Sequence, residues 1–198
     1  MNITPAQKTH GRPIAELAMM AGEGIPAYFW KQSLQADEDI YDVGARNAGS
    51  EDENFSYRNT WLAWLNHQLA GMLLAYRLPA AEQAEDPAGY PEFIRPLIEL
   101  ENRVPGSFYI NMLASYPQFR GRGVGTALMA EAERLAGAAG CDSTSIQVFE
   151  ENSGALRLYQ RLGYSIIDQR TIILHPCFRY TGQVLLLTRK LPEDYGMS

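Results

Sequence analysis

The run Arg120-Gly121-Arg122-Gly123-Val124-Gly125-Thr126 is entered from an apolar stretch and leads into an alanine-rich segment of helical periodicity. Alternating glycines let backbone amides converge without Cβ obstruction, and a following helix aims its unpaired N–H groups and positive dipole end at the same spot. Arg120 and Arg122 add charge. These residue types at this spacing predict a pyrophosphate cradle. A Walker A loop needs Lys directly after its last glycine, where Thr126 stands. A dinucleotide fingerprint needs Gly-x-Gly-x-x-Gly straight after a strand and an acid on the next strand, a part Glu150 is placed to play. The spacing here is Gly-x-Gly-x-Gly, and Tyr116 to Phe119 intervene between strand and Arg120. Coenzyme A is the third reading.

Other residues with chemical potential lie close by in sequence. Asn152 precedes a helical segment and reads as a cap whose side chain accepts a backbone N–H. Tyr159, two helical turns on, returns to about the same face and reads from the spacing alone as a core aromatic. Glu101 sits beside Glu99 at the end of an apolar helix; burial would raise its pKa toward that of a useful base, whereas an outward position would leave it solvated. Glu150 and Glu151 read as exposed acids at a strand end. Cys141 and Cys177 lack CxxC or Cys/His spacing, so neither a disulfide framework nor a metal site is expected. The three histidines, His10, His67 and His175, lie far apart and read as surface or loop residues. No Ser, Cys or His has a triad context, which fits a mechanism without a covalent enzyme intermediate.

Two motifs in order carry a family resemblance. Arg120-x-x-Gly123-x-Gly125 is preceded by Asn111-Met112-Leu113-Ala114-Ser115-Tyr116-Pro117, and Asn152-x-x-Ala155-x-x-x-Tyr159-x-x-x-Gly163-Tyr164 follows. From Phe108 to Tyr164 the chain resembles the GCN5-related N-acetyltransferases (GNAT). The resemblance implies an α/β (α+β) fold with a mixed, mostly antiparallel sheet of six or seven strands flanked by helices, and a splay between the two central strands. It implies acetyl-CoA as cosubstrate: Leu113, Ala114 and Ser115 pair with the pantetheine arm as an added strand would, Arg120, Gly121, Arg122, Gly123, Val124, Gly125 and Thr126 cradle the pyrophosphate, and Asn152 contacts the arm. Tyr159 protonates the departing thiolate, a strand amide near Leu113 holds the oxyanion, and a base such as Glu101 takes the amine proton.

The elements that must position these residues are legible from pattern. Pro13 to Leu34 reads as two helices broken at Gly22-Glu23-Gly24, and Asp37 to Asn47 as a short polar helix. Thr60 to Leu65 and Leu69 to Arg77 form a hairpin around Asn66-His67-Gln68. Leu78 to Pro91 reads as a mobile proline-interrupted loop, and Glu92 to Arg103 as a helix. Ser107 to Ser115 is a strand, Val124 to Ala139 a helix with Leu128, Ala132 and Leu135 buried, and Gly140 its stop. Ser143 to Phe149 (strand), Ser153 to Leu162 (helix), and Tyr164 to Leu174 and Gln183 to Lys190 (strands) complete the order.

At 198 residues a single domain is expected, with its coenzyme-binding region at about 107–164. A net charge of −6 argues against a nucleic-acid surface. No apolar run approaches the roughly 18 residues of a membrane span, and the N-terminus lacks a signal-peptide pattern, so a cytoplasmic protein is expected. The acceptor is then a small-molecule or protein amine. Asp37, Glu38, Asp39, Glu51, Asp52 and Glu53 would attract a cationic substrate or form solvated surface, and Tyr28, Phe29, Trp30, Tyr41, Phe55 and Tyr57 a substrate pocket or a core and homodimer contact. A coenzyme A-binding sensor without turnover is the alternative function.

Overall fold

A computed structural model describes residues 1–192. Seven strands are hydrogen-bonded in the order β1-β2-β3-β4-β5-β7-β6, where β1 is Asn2–Pro5, β2 Thr60–Leu65, β3 Gln68–Arg77, β4 Phe108–Ser115, β5 Ser143–Phe149, β6 Ser165–Thr171 and β7 Gln183–Lys190. The pairings β1 with β2, β2 with β3, β5 with β7 and β6 with β7 are antiparallel, and β4 runs parallel to β5. Six helices accompany them among the described residues: α1 (Gly11–Ala21), α2 (Ile25–Lys31), α3 (Ile40–Ala48), α4 (Arg95–Glu101), α5 (Val124–Ala138) and α6 (Ser153–Arg161). The fold is mixed α/β, as expected, with β1 as the strand that pattern did not reveal. Asn2–Pro5 is too short and too polar to show alternation, and it owes its conformation to β2, pairing from Asn2↔Trp64 to Pro5↔Trp61.

Contacts divide the chain into two compact units. The first comprises Met1–Ala75, Met112–Met129 and Cys177–Arg179. Its helix α3 starts at Asp39, whose carboxylate accepts from the amides of Tyr41 (2.8 Å) and Asp42 (3.0 Å). Arg12 closes on both acids at 2.7 Å and holds Asp39 below the ordinary carboxylate range. Glu38 pairs with Arg46, and Glu51 with Arg58 and Lys8. Asp39, Glu38 and Glu51 therefore have cationic partners from the chain itself. Trp30 is buried against Phe55, with ring centroids 5.6 Å apart. The β2–β3 turn holds Asn66 and His67 at φ 51° and 62°, the left-handed pair that suits a two-residue hairpin.

The second unit comprises Tyr76–Asn111, Ala130–Pro176 and, among the described residues, 180–192. Leu78 to Pro91 is folded into short turns rather than left as an open loop: Leu78 donates its amide to the Ser107 carbonyl at 2.9 Å, and Asn102 donates its side chain to the Glu85 carbonyl at 2.7 Å. In α5, Glu133 and Ala136 are buried and Leu135 only half-buried, a rotation from the expected stripe that lets Glu133 meet Arg189. Gly140, at φ 67°, ends the helix as expected, and Cys141 donates to the Ala136 carbonyl.

Candidate active site

In the first unit, the strand-to-helix loop takes its shape from its glycines. Gly121 and Gly123 have φ of 73° and 81°, and nothing lies within 4 Å of where a Cβ would stand at either. Gly125 is different, lying inside the first turn of α5. The amides of Arg120 and Arg122 are used within the loop, donating to the Pro117 carbonyl (3.2 Å) and the Phe119 carbonyl (3.4 Å). The amides of Gly121, Gly123, Val124, Gly125 and Thr126 meet no backbone acceptor among the described residues, and the first helical bond is Ala127 to the Gly123 carbonyl at 3.0 Å. Five such donors stand at the start of a helix of 15 residues, an arrangement that suits an anion. The Arg122 guanidinium lies over the Phe119 ring at 5.8 Å from its centroid, and both arginines are exposed.

Also in that unit, the outer half of β4 carries Leu113, Ala114 and Ser115, all half-buried. Ala114 lies so near Gly71 that a Cβ there would stand 2.5 Å from the Ala114 carbonyl oxygen. Tyr116, just beyond, donates its hydroxyl to Glu16 at 2.7 Å.

In the second unit, β4 and β5 pair at Phe108↔Thr144, Tyr109↔Ser145 and Ile110↔Ile146, and the pairing stops there although β5 continues to Phe149. This is the splay. Strand alternation sends Thr144 and Gln147 to opposite faces of β5. On one face, the Thr144 hydroxyl lies 2.7 Å from that of Tyr164, whose ring contacts that of Tyr159 at 6.3 Å. Tyr159 is buried. Asn152 caps α6 by accepting from the Ala155 amide at 3.3 Å. On the other face lies α4, where the Leu97 carbonyl accepts from Gln147 Nε2 at 2.9 Å.

Glu101, at the end of α4, is turned inward. Burial pushes its carboxyl up to about 7, a hydrogen bond with Tyr109 pulls the other way, and the nearby Glu85 charge adds to the rise. Glu101 and Glu85 also line a small pocket with Leu78, Pro79, Ile98 and Asn102. The Tyr109 ring stands edge-on to that of Tyr76 at 5.9 Å, and Tyr76 is hydrogen-bonded to Asn111. Burial raises both phenols, so both stay neutral at physiological pH. Glu99, by contrast, reaches outward to Arg170 at 3.0 Å.

Comparison with known proteins sets this geometry in a family. The model of the family described as Acetyltransferase (GNAT) family matches residues 29–164. The chain belongs to the GNAT acetyltransferases. An N-acetyltransferase from Staphylococcus aureus Mu50 is similar in fold, with 18% identity and a TM-score of 0.64 over 96% of this chain and 100% of that one. A mutant agmatine N-acetyltransferase in its apo form shares 15% identity and a TM-score of 0.67 over 96% and 99%. A Drosophila melanogaster polyamine N-acetyltransferase, described as forming N-acetylagmatine, shares 14% and 0.65 over 96% and 99%.

Residues that the sequence reads as surface or structural have local partners. Glu151 accepts from the amides of Thr181 (3.1 Å) and Gly182 (2.9 Å). His10 accepts from the Gln7 amide at 2.9 Å, and His175 stacks on Phe93 at 4.0 Å. Cys141 and Cys177 are not joined in a disulfide. Among the described residues no cluster of three or more His, Cys, Asp or Glu is arranged to hold a metal, and no helix is long and apolar enough to cross a membrane. Tyr76 on β3, Tyr109 on the paired part of β4 and Gln147 just beyond the last β4–β5 pair are polar groups that sequence pattern does not single out. The signal for Gln147 was an amide inside Ile146-Gln147-Val148-Phe149; the tyrosines looked like ordinary strand aromatics.

Proposed function

We propose that this acetyltransferase moves an acetyl group from acetyl-CoA to the nitrogen of a primary amine by direct attack within a ternary complex. The observation that carries the reading is the end of β4–β5 pairing at Ile110↔Ile146, with a proton-accepting group beneath α4 on one face and Tyr159 on the other. The five amides from Gly121 to Thr126 fit a pyrophosphate, and the outer β4 residues Leu113, Ala114 and Ser115 fit an extended amide-bearing arm. Coenzyme A supplies the acetyl group as a thioester and a thiolate leaving group.

The chain's own residues divide the proton work. Glu101, whose carboxyl burial lifts to about 7, removes the proton that the amine must lose, through Tyr109 or a water. The nitrogen lone pair forms the C–N bond, and a strand amide near Leu113 steadies the oxyanion. Collapse breaks the C–S bond, and Tyr159 protonates the sulfur. Asn152 serves as helix cap and as a partner of the coenzyme arm. We place the protein in the cytoplasm, with the whole chain acting as one acetyltransferase domain.

The test is release of free thiol from acetyl-CoA across a panel of primary amines that includes agmatine and polyamines, the compounds in the names of two structural relatives. Tyr159→Phe should lower kcat by about 100-fold while leaving acetyl-CoA affinity within a factor of about two. Equal activity in both proteins removes Tyr159 from the mechanism. Tight acetyl-CoA binding with no turnover of any amine makes the protein a coenzyme sensor.

A further inference from the structure

Gln147 presents a buried acceptor that the chain leaves unused. Its Nε2 is committed to the Leu97 carbonyl, and its Oε1 is shielded from solvent with no hydrogen-bond partner among the described residues. Leaving a buried carbonyl unpaired is costly, so such an atom calls for an explanation. Its position supplies one. Gln147 is the first β5 residue beyond Ile146, where β4 departs, and it shares a face with Ser145, the register partner of Tyr109. Tyr109 is in turn the hydrogen-bond partner of Glu101. Across the splay the corresponding β4 residue, Asn111, is already engaged by Tyr76.

We propose that Gln147 Oε1 accepts one N–H of the acceptor amine, which makes Gln147 a specificity-determining residue for primary amines. This rests on the acetyl-transfer reading above. The orphan oxygen needs a donor. The acetyl thioester offers only a carbonyl oxygen and a sulfur, both acceptors, and Tyr159, the group assigned to its sulfur, lies with Tyr164 and Thr144 on the opposite face of β5. An acceptor amine brings N–H donors to the face that also holds Tyr109 and Glu101. A neutral primary amine has two N–H bonds and one lone pair. Fixing one N–H on Gln147 orients the lone pair of the amine that Glu101 has deprotonated; after attack the other N–H proton passes to water, and the product amide keeps the N–H that Gln147 holds. A secondary amine has a single N–H to serve both purposes.

The test compares wild type, Gln147→Leu and Gln147→Glu by steady-state kinetics with the best amine of the panel, together with acetyl-CoA affinity and thermal melting. Gln147→Leu should raise KM for the amine about tenfold or more, with acetyl-CoA affinity held within about twofold. Gln147→Glu keeps an acceptor oxygen but sets the other against the Leu97 carbonyl, so it should retain most of the amine affinity while lowering the melting temperature. Wild type alone gives a second readout that needs no variant to fold: kcat/KM for a primary amine should exceed that for its N-methyl counterpart by about tenfold or more. An unchanged amine KM in Gln147→Leu, as when a structural water fills the site, overturns the proposal. So does a loss confined to acetyl-CoA affinity, which would assign the oxygen to the pantetheine amides, or equal turnover of primary and N-methyl amines. Absence of turnover by wild type with every amine removes the acetyl-transfer reading itself, a result distinct from all of these.

Discussion

The Glu101 carboxyl and the Tyr109 hydroxyl are hydrogen-bonded to each other where the end of α4 meets the start of β4, and burial lifts the carboxyl to about 7. The same rise has a thermodynamic sign. Between its ordinary value of 4.5 and about 7 the folded protein holds a proton that the unfolded chain has released. Stability from this group therefore falls as pH rises through that window and levels off above it, by at most about 3 kcal/mol. Glu101→Gln should flatten this part of the melting-temperature profile between pH 5 and about 8 and raise stability at the alkaline end. In wild type, kcat/KM for the amine should climb with pH through an apparent value near 7, and that limb should vanish in Glu101→Gln. A profile with its limb intact in the variant assigns the base elsewhere.

Gly123 carries a separate prediction. With φ at 81° and open space around a would-be Cβ, Gly123→Ala meets no clash and suffers only backbone strain. That strain is worth about 1–2 kcal/mol. The loop relieves it by turning, which disperses the amides that follow. Acetyl-CoA affinity measured by calorimetry should fall at least about tenfold, with a drop in melting temperature of only a few degrees. Retained affinity would separate this glycine from coenzyme binding.

Gly71→Ala should fail for the opposite reason. Its Cβ would stand 2.5 Å from the Ala114 carbonyl oxygen and 2.8 Å from a methyl carbon of Val124, so β3 or the outer half of β4 must shift. Overpacking of this kind costs about 1–3 kcal/mol. Both stability and acetyl-CoA affinity should suffer, and denaturant unfolding beside a binding isotherm separates this pattern from that of Gly123→Ala.

Asn152 distinguishes cap from ligand contact. Asn152→Ala removes the acceptor for the Ala155 amide and should cost about 1 kcal/mol, whereas Asn152→Ser can still cap. Should Asn152 also hold the coenzyme arm, both variants lose acetyl-CoA affinity although only one loses stability. Affinity that tracks stability alone identifies a cap and nothing more.

Local features were open to sequence reasoning because their causes are local. Positive φ at Gly121 and Gly123, the left-handed Asn66-His67 turn, the Asn152 cap and the Gly140 stop each depend on a few neighbouring residues, and each was visible as a residue type at a position. Strand β1 was not visible, because Asn2–Pro5 becomes a strand only through pairing with β2.

The sequence by itself determined the family, the order of most elements and the glycine loop, since glycine spacing, capping residues and apolar periodicity act over one or two turns of chain. Tertiary structure alone decided which of Glu99 and Glu101 is buried, which loop amides are already used, and that Tyr159 and Gln147 belong to opposite faces of β5. The physical reason is that desolvation and hydrogen-bond satisfaction depend on what covers a group. For Glu101 and Gln147 that cover is formed by segments distant in the chain, a relation that no spacing within either segment encodes.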